Sequence, residues 1–118
     1  MITLKTLPEA TEQQVFDQIA KHLLSQKQRS TNGEMCRYRG PDGLKCAAGC
    51  LMTDDEYDCD RMEGAAWIDC TIFPAAHVGI IQYLQDLHDT REPEDWPRFL
   101  RRAAIDYGLN PKVIDDHT

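Results

Sequence analysis

Three segments of the chain have apolar residues at the spacing of an amphipathic helix. In the first segment, the apolar stripe consists of Val15, Phe16, Ile19, Leu23 and Leu24. Thr11 followed by Gln14 predicts a capping box at its start, and the small polar residues at 30–33 predict its end. The pattern therefore predicts a helix that begins after Thr11 and ends at about Lys27.

The second and third segments lie in the C-terminal half of the chain. From His77 to Asp89, one stripe contains the apolar Val78, Ile81 and Leu84 together with His88. The third segment begins near Trp96, with Asp95 as the predicted N-cap. Gly108 predicts a left-handed helix end, and Pro111 prevents the helix from continuing. The residues after Pro111 are expected to add one more helical turn.

The residues between the first two helices are typical of a turn. Gly40-Pro41-Asp42-Gly43 places proline and aspartate at the central positions of a β-turn, with glycine after them. We predict a short β-hairpin that joins residues 35–39 to 44–48 and then runs into a helical turn. A helix that begins directly at Cys46 is the alternative.

The connection that follows is harder to assign from its pattern. Thr53 with Glu56 predicts a second capping box and a short acidic turn. Residues 58–74 are predicted to form an irregular connection with buried anchors at Trp67 and Ile68. The predicted fold class is therefore α+β, mostly α, with three main helices packed around a short β-hairpin in a single domain over 1–118.

Membrane and secretory signals are missing from the sequence as given. No apolar run approaches the roughly 20 residues of a membrane span. The N-terminal residues also lack the apolar stretch of a signal peptide. We therefore expect a cytoplasmic protein without a membrane partner.

The chain is acidic, with 20 Asp and Glu residues against 13 Lys and Arg and a formal net charge of −7. This charge opposes general nucleic-acid binding, which depends on cations that neutralise phosphates. It is compatible with a basic protein partner, or with a surface that imitates nucleic acid.

Basic residues nevertheless collect on the predicted hairpin. The predicted register places Arg39 opposite Lys45, and Arg37 lies on the same face. Arginine forks suit phosphate or carboxylate, and Tyr38 could stack on a base. The predicted ligand-binding residues are Arg37, Tyr38, Arg39 and Lys45. The alternative is that nearby carboxylates neutralise the cations, and the candidates are Asp54, Asp55, Glu56 and Asp58.

The five cysteines favour free thiols, because the count is odd and no secretory signal is present. They are Cys36, Cys46, Cys50, Cys59 and Cys70. Cys36, Cys46 and Cys50 are candidate metal ligands, but the usual short ligand spacings are missing and buried packing is the favoured alternative. No cofactor is expected.

Catalytic signatures are also missing. No local motif pairs a cysteine with His22, His77 or His88, and no phosphate-binding glycine loop of standard pattern occurs. We therefore assign no catalytic residue and expect a protein that is not an enzyme.

One segment supports a family resemblance. Residues 36–51 read Cys-Arg-Tyr-Arg-Gly-Pro-Asp-Gly-Leu-Lys-Cys-Ala-Ala-Gly-Cys-Leu. A His-Leu-Leu-Ser-Gln helix segment at 22–26 precedes it. Asp54 and Tyr57 follow it, and a later helix contributes Leu84, Gln85, His88 and Asp89. Together these residues resemble a group of small uncharacterised proteins encoded by bacteriophages and prophages. The resemblance covers about residues 15–89 and implies a phage-type origin, in the cytosol of a bacterial host.

The resemblance implies no assigned activity. By analogy, small phage proteins often resemble inhibitors of host defence, including sponges for nucleotide signals and mimics of DNA. The leading hypothesis is a non-enzymatic binding or inhibitor protein that holds an anionic small ligand such as a nucleotide. Alternatives are an acidic module that binds a host protein, and a Cys/His zinc-binding module. A homo-oligomer is compatible with the sequence.

Overall fold

The computed structural model describes residues 1–33, 35–67 and 73–117. These residues form five α-helices: α1 Glu12–Gln26, α2 Cys59–Met62, α3 Val78–Thr90, α4 Trp96–Tyr107 and α5 Lys112–Asp116. Short 3₁₀ turns lie at Leu7–Glu9, Pro41–Gly43, Ala48–Leu51 and Pro93–Asp95. In the described part of the chain, no helix has the length and apolar character needed to cross a membrane.

Helix α1 confirms the first predicted helix and its capping box. The Thr11 hydroxyl accepts a hydrogen bond from the Gln14 backbone N–H at 3.1 Å, and the Gln14 side chain accepts one from the Thr11 N–H at 2.9 Å. The helix ends at Lys27, which has a left-handed backbone with φ 58°. The predicted apolar stripe is buried.

Helices α3 and α4 confirm the two later predictions. At the end of α4, Gly108 is left-handed with φ 65°, and the Leu109 N–H bonds to the Ala104 carbonyl at 2.8 Å. This closure is the Schellman arrangement that glycine makes possible. The additional turn after Pro111 is α5.

The helices bury one apolar core. Helix α1 packs against α3, α4, α5 and the Ala48–Leu51 turn. The largest fully buried side chains are Trp67, Trp96 and Phe16, each at most 1% exposed. Burying a side chain of this kind stabilises the fold by roughly 1.5–3 kcal/mol. This packing leaves the polar side of α1 facing outward next to Lys45.

The predicted β-hairpin is wrong, and so is the α+β fold class. The described residues form no β-strand; they contain two isolated antiparallel bridges, Thr31 with Cys36 and Arg39 with Lys45. The second bridge confirms the predicted pairing of Arg39 with Lys45. The fold of the described residues is therefore all-helical, with an irregular segment at 28–58 that includes short 3₁₀ turns.

Side chains explain why the pairing does not extend into strands. The backbone N–H groups of Tyr38 and Arg39 donate to the Glu63 carboxylate, at 2.9 and 3.1 Å. The bond from the Cys46 N–H to the Tyr38 carbonyl flanks the bridge, so the next rung would need the Tyr38 N–H to donate to the Cys46 carbonyl. Glu63 occupies that N–H and the Cys46 carbonyl accepts from the Cys50 N–H, so the next rung does not form.

Gly49 lies where two backbone segments come unusually close. A β-carbon built on Gly49 would lie 2.0 Å from the Tyr38 carbonyl oxygen and 3.0 Å from its carbonyl carbon. The 3₁₀ turn that contains Gly49 is thereby pressed against the Arg37–Arg39 segment. Only glycine fits at this position without a shift of the backbone.

The connection before α3 is partly as predicted. Thr53 and Glu56 form the predicted capping box, with hydrogen bonds of 2.9 and 3.2 Å between them. Trp67 is a buried anchor that stacks on Phe73, with ring centroids 4.0 Å apart. Ile68, the second predicted anchor, and Cys70 lie outside the described residues.

Candidate anion-binding groove

A groove with a volume of about 940 Å³ runs along the outward side of α1. Helix α5 forms one wall, and the loop at 45–50 forms the other. Its acidic, basic and histidine lining residues are Asp17, Lys21, His22, Lys45, Lys112, Asp116 and His117. The groove therefore places three lysines around one concave surface of an acidic protein.

Lys45 is held in the groove wall by two side chains of α1. The Lys45 N–H donates to the Gln26 side-chain oxygen at 3.0 Å, and the Gln26 amide donates back to the Lys45 carbonyl at 2.8 Å. His22, one helical turn before Gln26, donates from Nε2 to the same carbonyl at 2.8 Å. Both backbone groups of Lys45 are therefore fixed by a rigid helix.

Two of the groove lysines have no ion-pair partner among the described residues. Within the described residues, Lys21 and Lys45 have no carboxylate oxygen within 4.0 Å, whereas Lys112 pairs with Asp116 at 3.4 Å. Burial lowers the pKa of His22 from its ordinary value of 6.5, and this effect outweighs the hydrogen bond to the Lys45 carbonyl, which raises it. His22 is therefore neutral at pH 7, and the positive charge at this end of the groove comes from the two lysines.

The two predicted arginines are paired with carboxylates. Arg37 lies 3.6 Å from Glu63, and Arg39 forms an ion pair with Asp54. The hydrogen bond from Arg39 holds the pKa of the Asp54 carboxyl below its ordinary value. Neutralisation by neighbouring acids, the alternative raised from the sequence, is confirmed for Asp54. Glu63 was not foreseen as a partner.

Tyr38 is part of the core. Its side chain is only 5% exposed, its ring packs edge-on against Phe73 at 5.5 Å, and its hydroxyl donates to the Ala65 carbonyl. In this position the ring offers no open face to a base. Of the four predicted ligand-binding residues, all of which are described, Lys45 is the one that lines the groove.

Cys46, which is buried, and Cys50, which is partly buried, are protonated thiols. Burial raises the pKa of Cys46 well above its ordinary value and that of Cys50 to about 12. The Cys46 sulfur accepts a hydrogen bond from the Gly49 N–H, and the Cys50 thiol donates to the Ala47 carbonyl. Among the described residues, Cys36, Cys46, Cys50 and Cys59 are free, as expected.

One group of potential metal ligands converges within the described part of the chain. The ligand atoms of Cys36, His88 and Asp89 lie within 4.8 Å of one another, whereas Cys46 and Cys50 are outside this group. The buried His88 ring accepts a hydrogen bond from the Ser30 N–H at Nε2, 3.0 Å away, and bonds to Asp89 through Nδ1 at 2.7 Å. The His88 ring therefore carries its proton on Nδ1.

That tautomer does not suit a metal. If Nδ1 of His88 bound an ion, the ring proton would have to sit on Nε2, where it would face the Ser30 N–H. Metal-binding histidines normally direct their second nitrogen to a hydrogen-bond acceptor. Burial and the nearby Asp89 also raise the pKa of Cys36 to about 11, so its thiolate is disfavoured. The cluster fits a structural hydrogen-bond network better than a metal site.

Lys21, His22 and Gln26 are site residues that were not predicted from the sequence. The available signal was the spacing of His22 and Gln26, which places both on one side of the predicted helix. The segments that support the phage resemblance pack together at this point: His22 and Gln26 bond to Lys45, and the Gln85 side chain accepts from the Ala48 N–H at 3.0 Å.

Comparison of the chain with protein-family models, with curated proteins and with solved structures finds no match. Support for a function therefore comes from the geometry of the chain itself.

Proposed function

We propose that this protein is a non-enzymatic binding protein that holds an anionic small molecule, such as a nucleotide, in the groove along α1. The observation that supports this function most directly is the pair Lys21 and Lys45. Both lysines line the groove along α1, and among the described residues both lack a carboxylate partner. In a chain with a net charge of −7, two lysines without carboxylate partners on one concave surface favour the binding of an anion there.

The dimensions and chemistry of the groove agree with a small molecule. Its volume of about 940 Å³ lies within the range of ligand pockets, roughly 300–1,000 Å³. Polar side chains such as Gln18 and Ser25 line it beside the lysines, together with the apolar Val113. A ligand whose anionic group contacts the lysines and whose uncharged part lies along the groove would use both kinds of surface.

The fixed position of Lys45 supports binding rather than a transient surface contact. Because His22 and Gln26 hold its backbone, less conformational entropy is lost when its side chain engages an anion. In the phage setting that the resemblance implies, such a protein would act as an inhibitor that sequesters a small anionic signal of the host.

The proposed site predicts a specific loss of affinity for anions in a double lysine variant. Replacing Lys21 and Lys45 with alanine is expected to weaken binding of pyrophosphate at least about tenfold, because two charge-assisted contacts are removed. Isothermal titration calorimetry at low ionic strength measures this change.

The control is the Lys5→Ala, Lys27→Ala double variant. It loses the same charge, and both lysines are exposed, outside the groove and without an ion pair in the described residues. This control is expected to bind nearly as well as the wild type. Unchanged affinity in the Lys21, Lys45 variant, or equal losses in both variants, would contradict the proposed site.

A further inference from the structure

The side chain of Glu63 occupies an anion site made by the Arg37–Arg39 segment. Its two oxygens accept hydrogen bonds from the Tyr38 N–H at 2.9 Å and the Arg39 N–H at 3.1 Å. The Tyr57 hydroxyl adds a third at 2.6 Å, and the Arg37 guanidinium lies 3.6 Å away. The segment that the sequence marked as anion-binding thus holds an anion that belongs to the chain itself.

The arrangement has the form of a carboxylate receptor. Two successive backbone N–H groups donate one to each oxygen, which matches a planar carboxylate, and a guanidinium supplies the opposite charge. The Glu63 side chain is still 11% exposed, so solvent reaches the occupant. We name these donors, from Arg37, Tyr38, Arg39 and Tyr57, the carboxylate nest.

A cleft of about 380 Å³ opens beside the nest. Its lining includes Arg37, Tyr38 and Glu63 on one side, and Asp86 and Asp89 of α3 on the other. A molecule in this cleft is therefore next to both the nest and its occupant.

The backbone after Glu63 permits the side chain to leave. Glu63 follows the last residue of α2, and Gly64 after it is exposed with φ +83°. A β-carbon built on Gly64 would meet nothing within 4 Å. Movement of this short link is therefore not opposed by packing at Gly64.

We propose that the carboxylate nest is a binding site for small amino-acid-like carboxylates, which Glu63 keeps closed as an internal competitor. The external carboxylate takes the place of the Glu63 carboxylate on the Tyr38 and Arg39 N–H groups. Asp86 and Asp89 across the cleft favour a ligand that has an ammonium group beside its carboxylate, and they disfavour a phosphate dianion. This site is separate from the groove along α1, and either proposal can fail without the other.

The test is the Glu63→Ala variant with glycine as the probe. Removing the competitor is expected to strengthen glycine binding at least about tenfold relative to the wild type, since the nest is then vacant. Amide signals of Tyr38 and Arg39 in ¹H–¹⁵N NMR spectra report binding at the nest. Acetate is expected to bind more weakly than glycine, and inorganic phosphate more weakly than acetate.

Glu9→Ala is the matched control, because Glu9 is exposed and its loss changes charge and side-chain size in the same way. It should bind glycine as weakly as the wild type. If folded Glu63→Ala binds glycine no more tightly than Glu9→Ala, the proposal is overturned. It is also overturned if the tightened binding shifts signals away from Tyr38 and Arg39.

The folding of the Glu63→Ala variant gives a second readout. If Glu63→Ala is unfolded in plain buffer, glycine is expected to restore its helical circular dichroism in a saturable manner, while sodium chloride of equal or higher ionic strength does not. Failure of glycine to restore the fold, or equal restoration by sodium chloride, would overturn the proposal.

Discussion

Gly49→Ala is expected to destabilise the protein by at least about 3 kcal/mol, because its new methyl group has no space. The β-carbon would lie 2.0 Å from the Tyr38 carbonyl oxygen, and that oxygen belongs to the backbone and cannot rotate away. To relieve the overlap, the Ala48–Leu51 turn must move away from the Arg37–Arg39 segment. Chemical denaturation followed by circular dichroism measures the loss.

Gly79→Ala is the control for this substitution. Gly79 lies in α3, and a β-carbon there would meet only the Tyr107 hydroxyl, at an ordinary contact distance of 3.6 Å, among the described residues. Alanine is favoured over glycine in a helix, so this variant should be more stable than the wild type by up to about 1 kcal/mol. A Gly49→Ala variant as stable as the wild type would show that the two segments do not approach this closely.

His88→Ala is expected to lose about 3–5 kcal/mol of stability. The ring is fully buried and stacks on Trp96 with centroids 5.5 Å apart, so its removal leaves a cavity. It also leaves the buried Ser30 N–H without its acceptor. Thermal denaturation followed by circular dichroism provides the comparison with the wild type.

His22→Ala serves as the comparison, because this histidine is partly exposed and makes one hydrogen bond, to the Lys45 carbonyl. The His22→Ala substitution should lower the free energy of unfolding by only about 1 kcal/mol. The structural role of His88 also predicts that EDTA leaves the wild-type melting temperature unchanged. A marked fall in the melting temperature with EDTA, reversed by zinc, would instead indicate that Cys36, His88 and Asp89 bind a metal ion.

The three long helices could be predicted from the sequence because their signals are local. Apolar spacing, the Thr11 capping box and the Gly108 ending are each set by residues within a few positions of one another. The pairing of Arg39 with Lys45 was predictable for the same reason, since the turn at 40–43 joins them directly.

The hairpin could not be excluded from the sequence, because the groups that prevent it are distant along the chain. Glu63 takes the N–H group of Tyr38, which would form the next rung of the ladder, from 25 positions away. A turn motif predicts its own geometry, and it does not reveal which side chains will compete for the flanking backbone.

Dependence on residues distant along the chain also explains why most of the site residues were not predicted correctly. The sequence correctly marked residues 37–39 as cationic, yet Asp54 and Glu63 neutralise the two arginines in the fold. Lys45 lines the groove only because His22 and Gln26 of α1 hold its backbone there. The groove is formed by α1, α5 and a loop, so its lining is a property of tertiary packing.

The most direct test of the central claim is a titration of the wild-type protein with pyrophosphate, followed by ¹H–¹⁵N NMR. We predict saturable shifts of the backbone signals of Lys21, His22 and Lys45, with little change at Arg37 and Arg39. Shifts centred on Arg37 and Arg39, or no saturable shift of the groove signals up to about 10 mM, would contradict an anion site in the groove along α1.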